Sequence, residues 1–170
     1  DNDGMQPAIF LGRDGVIIEN REQYVRSWAD VAFYPNVLTT LAQLRPLPYK
    51  IVIVTNQSAV GRGMITMGAA LAINQKLTVE IEKAGGRVDG VFMCPHAPEE
   101  MCSCRKPLPG LILQAAEALE LDLPRSILIG DAISDIQAGQ AAGIPETILV
   151  RTGRGAHQAL LPESRSLKPF

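Results

Sequence analysis

Apolar residues along this chain fall into two kinds of run. Ile9-Phe10-Leu11 and Ile51-Val52-Ile53-Val54 are short and unbroken, as expected of strands buried on both faces of a parallel sheet. Elsewhere the apolar positions recur every three or four residues, the period of a helix with one buried face. Val37, Leu38, Leu41, Ala42 and Leu44 predict a helix capped by Asn36 and stopped by Pro46. Leu71, Ile73, Leu77, Val79 and Ile81 predict another from Thr66 to about Lys83, ended by Gly85-Gly86. The same reading gives strands at 90–93, 126–129 and 147–150 and helices at 109–121 and 134–142. Strand and helix alternate throughout, which indicates an α/β fold: a parallel sheet flanked by helices through right-handed crossovers. Residues 19–35, polar but with Tyr24, Trp28, Phe33 and Tyr34 scattered through them, are expected to form a loop over the mouth of a cleft. The tail from 153 to 170 is expected to pack loosely or to cover a helix, with His157 at the surface.

Each predicted strand ends in small, polar or charged residues: Arg13-Asp14, Thr55-Asn56, Cys94-Pro95-His96, Gly130-Asp131 and Arg151-Thr152. In a parallel sheet these ends share one edge, where open α/β folds bind ligands. Asp14 is therefore a site candidate, with Gly15 turning the chain away; on its own the segment also reads as an ordinary Asp-Gly turn. The 170 residues suit one domain, placed at 5–170, with Met5 a natural start and residues 1–4 an appended remnant. A 46% hydrophobic and 20% charged composition is that of a soluble globular chain. The formal net charge of -2 gives no reason to expect nucleic acid or an anionic membrane as partner. With no apolar run long enough to span a bilayer, a cytoplasmic monomer is the expectation.

All three cysteines and one of the two histidines fall in Cys94-Pro95-His96 and Cys102-Ser103-Cys104. Cys94, His96, Cys102 and Cys104 offer a complete tetrahedral set for zinc, with no position left for water, so the metal would be structural. Free thiols or a disulfide are the alternatives, although three cysteines leave one unpaired. A metal here would staple an irregular loop and fix the directions of Arg105 and Lys106 just beyond it.

Three further positions suit phosphate chemistry. The hydroxyl and amides of Thr55-Asn56 can donate to phosphate oxygens, Lys106 can neutralise their charge, and Asp131 can hold a hard cation such as Mg²⁺. Singly, each has a plain alternative: a strand-end cap, a solvated lysine and a helix-capping acid.

Together with the cysteine pattern they resemble the haloacid dehalogenase superfamily, in its heptose-bisphosphate and histidinol-phosphate phosphatase branch. The resemblance rests on Ile9 to Gly15, on V-T-N-Q-S at 54–58, G-R-G at 61–63, C-P-H at 94–96, C-x-C-R-K-P at 102–107 and V-R-T-G at 150–153. It implies a Rossmann-like sheet with the first strand central, a zinc-stapled loop and no large cap domain. It also implies a Mg²⁺-dependent phosphomonoesterase, most similar to those removing the 7-phosphate of D-glycero-D-manno-heptose 1,7-bisphosphate. Histidinol phosphate is the alternative substrate. In that resemblance Asp14 is the general acid/base, its backbone carbonyl and Asp131 hold Mg²⁺, and Thr55, Asn56 and Lys106 contact the transferred phosphate. Arg62 and Arg105, with Arg151, would meet the sugar or its second phosphate. Gly12, however, stands where the family has its nucleophilic aspartate. The resemblance therefore implies severely impaired hydrolysis, or a phosphosugar-binding protein without turnover.

Overall fold

A computed structural model describes residues 4–170. Its frame is a five-stranded parallel sheet in the order β3-β2-β1-β4-β5, with β1 Ala8–Leu11, β2 Lys50–Asn56, β3 Gly90–Cys94, β4 Ile127–Gly130 and β5 Glu146–Leu149. Placing β1 at the centre puts Ile9 beside both Ile51 and Ile127, and Phe10 beside both Val52 and Leu128. Neighbouring residues of a strand point to opposite faces, so the unbroken apolar runs supply two cores at once. On one face Ala8, Phe10, Val52, Val54 and Leu128 pack with Leu111, Ile112, Ala115 and Ile136. On the other, Ile9, Leu11, Ile51 and Ile53 pack with Leu41, Ile73, Leu77 and Ile81.

Among the described residues six helices follow in chain order: α1 Val37–Leu44, α2 Ser58–Gly61, α3 Met67–Lys83, α4 Gly110–Leu119, α5 Ile133–Ala141 and α6 Gly155–Gln158. The alternation read from the sequence is the one observed, and α2 and α6, each a single turn, are the helices it lacks a signal for. Two details differ. Asn36 does not cap α1 with its side chain; it takes a left-handed conformation with φ 69°, which asparagine tolerates, and turns the chain after Pro35. Leu71 and Val79 are exposed on α3, whose buried stripe runs instead through Ala70, Ile73, Asn74, Leu77 and Ile81. Thr66 does cap α3, its Oγ1 accepting the Ala69 N–H at 3.1 Å.

Residues 19–35 form a loop with a short 3-10 turn at Trp28–Asp30 and a single antiparallel bridge from Phe33 back to Ile18. Trp28 holds it to the body, packing edge-on to Phe33 and lying beneath the Lys76 ammonium of α3. The tail covers α5: Gln140 exchanges hydrogen bonds with the Lys168 backbone at 3.0 and 3.2 Å, and Gln158 accepts the Ile133 N–H at 3.0 Å. His157 is exposed, as expected. No helix among the described residues is long and apolar enough to cross a membrane.

Candidate active site

The site lies at the carboxyl edge of the sheet, where β1, β2 and β4 end side by side. Beyond Leu11 the chain bends, and Asp14 is held by three donors. Arg13 donates from Nε and Nη2 at 3.2 Å each, and Gln57 from Nε2 at 2.9 Å. The same Gln57 amide donates to Thr55 Oγ1 at 2.7 Å, so one side chain links the end of β2 to Asp14.

Lys106 is not a solvated lysine: it is buried at 8% exposure, its Nζ 2.6 Å from Asp135 Oδ1 and 3.1 Å from the Val54 carbonyl. Burying an ammonium costs several kcal/mol, and only a close, fully hydrogen-bonded partner offsets it. Asp135 is such a partner, because its other oxygen accepts the backbone N–H groups of Asp131 and Ala132 at 3.1 Å. The Asp131 carboxylate in turn accepts from Asn20 Nδ2 and the Arg154 N–H, both at 3.1 Å. Gly15 is pressed against it: with φ 89°, a Cβ there would lie 1.9 Å from Asp131 Oδ2. Thr152 closes the turn by donating to the Gly15 carbonyl at 2.7 Å. Beside these groups, burial raises the pKa of the Tyr34 hydroxyl. The charges of Asp131 and Glu19 act in the same sense, against hydrogen bonds with the Gly153 and Asn20 backbone.

The fold thus gathers Asp14, Thr55, Lys106 and Asp131. The side-chain amide of Asn56 clamps the Lys106 backbone, accepting its N–H at 3.2 Å and donating to its carbonyl at 3.4 Å. Its side chain therefore positions the exit of the cysteine loop. Arg62 is exposed at the end of α2, next to Gly61, whose N–H bonds the Pro95 carbonyl of that loop at 2.8 Å. Arg105 is half-buried, and its Nη1 is buried without a hydrogen-bond acceptor among the described residues. Gln57, Asn20 and Arg154 were missed as site residues. Gln57 sits inside a motif already singled out, whereas Asn20 lies in a loop with no local signal at all.

Gly12 has no conformational need to be glycine. Its φ lies outside the left-handed range, and a Cβ would meet only Val16 Cγ2 closely, at 3.2 Å, with the Ile129 carbonyl at 3.9 Å.

The donor atoms of Cys94, His96, Cys102 and Cys104 all lie within 4.8 Å of one another. Cys94 Sγ is 3.6 Å from His96 Nδ1 and 3.5 Å from Cys102 Sγ, and Cys104 Sγ is 3.4 Å from His96 Nδ1. Zinc bonds of about 2.0–2.3 Å in a tetrahedron require ligand atoms roughly 3.3–3.8 Å apart, a spacing these three pairs meet; the Cys104 and Cys94 sulfurs, 2.7 Å apart, are closer and would spread to take the ion, for which the four donors are a complete set. The three cysteines are free thiols. Burial pushes the Cys94 and Cys104 thiols up. It acts the same way on Cys102, but hydrogen bonds from the Arg105 backbone, the Cys94 thiol and the Cys104 backbone prevail and bring it down to about 6. Such a cluster cannot ionise fully without a cation among the sulfurs.

Comparison with known proteins decides the family. A HAD-hydrolase-like profile matches residues 103–167. D-glycero-beta-D-manno-heptose-1,7-bisphosphate 7-phosphatase of Yersinia pestis is 39% identical over 155 residues, 87% of this chain and 82% of that protein. The chain belongs to the HAD-like phosphatase family. A phosphatase of the same name from Helicobacter pylori is 40% identical over 144 residues, 84% of this chain and 82% of that protein. Among solved structures, the D,D-heptose 1,7-bisphosphate phosphatase of B. bronchiseptica, complexed with magnesium and phosphate, superposes with TM-score 0.87. It is 34% identical, covering 95% of this chain and 88% of that one. The central first strand and the flanking helices are thus those of the family's fold, as the motifs implied.

Proposed function

We propose that this fold is built to remove a phosphate from a phosphorylated sugar, a heptose 1,7-bisphosphate at its 7-position, and that Gly12 has stripped the present chain of most of that activity. The observation that carries the reading is the convergence of Asp14, Thr55, Lys106 and Asp131 on one sheet edge, in a chain similar to phosphatases of that name.

In this reading Lys106 and the Thr55 hydroxyl bind the transferred phosphoryl group, and Asp14 protonates the departing sugar oxygen before drawing a proton from water. Asp131 and Asp14 present hard oxygen donors at neighbouring strand ends, a set that fits Mg²⁺. Bound there, the ion offsets charge on the phosphoryl oxygens. Arg105, with its unsatisfied buried donor, and Arg62 suit the sugar or its second phosphate, since a guanidinium fork matches phosphate oxygens. The cysteine loop, held by zinc, carries Arg105 and Lys106. The domain is the whole of 5–170.

An attacking carboxylate is the missing part. Removing the nucleophile from a cooperating set has cost on the order of a million-fold in rate in another hydrolase. That loss supports a second reading of the chain as it stands: a phosphosugar-binding protein without turnover. The deciding experiment compares the chain with Gly12→Asp for Mg²⁺-dependent phosphate release from heptose 1,7-bisphosphate and from histidinol phosphate. Release from the heptose by Gly12→Asp alone is expected. Robust turnover by the Gly12 chain would overturn the nucleophile assignment, and an inert Gly12→Asp protein would favour binding alone.

A further inference from the structure

Arg13 is the largest fully buried side chain that the proposed chemistry leaves without a task, at 2% exposure. It lies just beyond β1 and reaches Asn74 of α3, the helix whose Ile73, Leu77 and Ile81 pack with Ile9, Leu11, Ile51 and Ile53. An apolar residue there would avoid the several kcal/mol that burial of a charge costs, so the guanidinium needs another explanation. Its guanidinium bridges Asp14 and Asn74. Nε and Nη2 form a fork on the two oxygens of Asp14 at 3.2 Å, while Nη1 donates to Asn74 Oδ1 at 2.8 Å.

Consecutive residues of a strand point to opposite faces, so Arg13 and Asp14 can meet only because β1 stops at Leu11 and the chain bends. The bend is built around Arg13 itself, whose carbonyl accepts the N–H groups of Ile17 and Ile18 at 2.9 and 3.1 Å. Asn74 is equally unusual, a buried amide at 5% exposure in the apolar stripe of α3. Its amide nitrogen contacts Met93 Sδ at 3.6 Å, which orients the oxygen towards Arg13.

We propose that Arg13, anchored by Asn74, is a positioning residue that fixes the plane of the Asp14 carboxylate so that one oxygen faces the departing group. The inference rests on the reading of Asp14 as the acid/base of the site. Gln57 supplies the third support, at 2.9 Å, but it also bonds Thr55 and alone leaves the carboxylate free to rotate about one contact. The fork removes that freedom, and Asn74 keeps the fork from following the carboxylate. Misalignment of a catalytic group by about 1 Å can cost on the order of a hundredfold in rate.

The test has two arms. In the Gly12 chain, which need not turn over, crystal structures of Arg13→Met and Asn74→Leu should show the Asp14 carboxylate rotated or in two positions. Arg13→Lys, which keeps the charge but not the fork, should show the same. In the Gly12→Asp background, Arg13→Met and Arg13→Lys should lower kcat at least tenfold with KM within about threefold. Arg13→Lys should retain more thermal stability than Arg13→Met without regaining its kcat, a split that a merely structural role would not give. An Asp14 carboxylate unmoved in the Arg13→Met structure overturns the proposal, whether or not Gly12→Asp is active. An unchanged kcat in Arg13→Met does so as well. Failure of Gly12→Asp to release phosphate, with Asp14 displaced in the structures, would instead count against the phosphatase reading while leaving the positioning role standing.

Discussion

Lys106 Nζ and Asp135 Oδ1 stand 2.6 Å apart, with both side chains almost wholly withdrawn from solvent. This pair joins the exit of the cysteine loop to the first turn of α5, and through the Asp135 contacts with the 131 and 132 amides it also sets the Asp131 backbone. Removing one partner strands the other charge. Lys106→Met should therefore cost about 3–5 kcal/mol of unfolding free energy by urea titration. Lys106→Met combined with Asp135→Leu should cost less than the two single changes added together. A single-variant loss under about 1 kcal/mol would show the pair to be dispensable for stability.

Gly12 and Gly15 make opposite predictions although they lie on one short loop. At Gly12 a side chain meets only the tip of Val16, so Gly12→Ala and Gly12→Asp should change stability by no more than about 1–1.5 kcal/mol. At Gly15 a Cβ would strike the Asp131 carboxylate from a left-handed backbone, so Gly15→Ala should cost well over 2 kcal/mol and displace Asp131. Thermal denaturation of the three variants checks both halves. Equal losses at the two positions would mean that the loop relaxes more than its packing implies.

Much of this was legible in the chain, and the reason is physical. Unbroken runs such as Ile51 to Val54 can only be strands buried on both sides, and their polar terminations mark one edge before any topology is known. Thr55 and Asp131 lie directly at or beside such terminations, and Lys106 follows the cysteine cluster that marks its own loop. What stayed hidden depends on contacts remote in sequence. Asn20 meets Asp131 across 111 positions and Arg13 meets Asn74 across 61, and nothing local in either sequence neighbourhood announces the partner. Asn56 ends β2, and its side-chain amide is engaged by the Lys106 backbone, a contact that no residue type discloses.

Tyr34 should make the loop at 19–35 sensitive to alkali. Burial holds its hydroxyl pKa above the ordinary value of 10.0, so the folded state favours the neutral phenol. A raised folded pKa contributes stability that is complete below the unfolded value and is lost as pH rises through the folded one. Stability should therefore begin to fall near pH 10, less so in Tyr34→Phe. Ultraviolet titration of tyrosinate, with and without that change, reports the late-ionising group; identical curves would dismiss it.

The thiol cluster yields a prediction about metal removal. In zinc-free protein Cys102 has a pKa near 6, whereas Cys94 and Cys104 are raised above their ordinary 9.0. At pH 7 Cys102 is then mostly thiolate, and the thiolate is the form that alkylating reagents attack. After chelation, limiting iodoacetamide should label Cys102 first, with a rate that falls as pH drops through about 6. The depressed pKa also carries a stability term, complete above the unfolded value near 9 and lost as pH falls through about 6. Acid should thus loosen the stripped loop, and it should also release zinc, since protons compete for the sulfurs. Zinc restored at neutral pH should protect all three cysteines together. Cys104→Ser should abolish that protection while leaving the sheet folded by circular dichroism, because Cys104 only flanks the core to which Cys94 belongs and the opposite core contains no cysteine. Equal labelling of the three cysteines in stripped protein, or no protection on adding zinc, would remove the metal from the account of this loop.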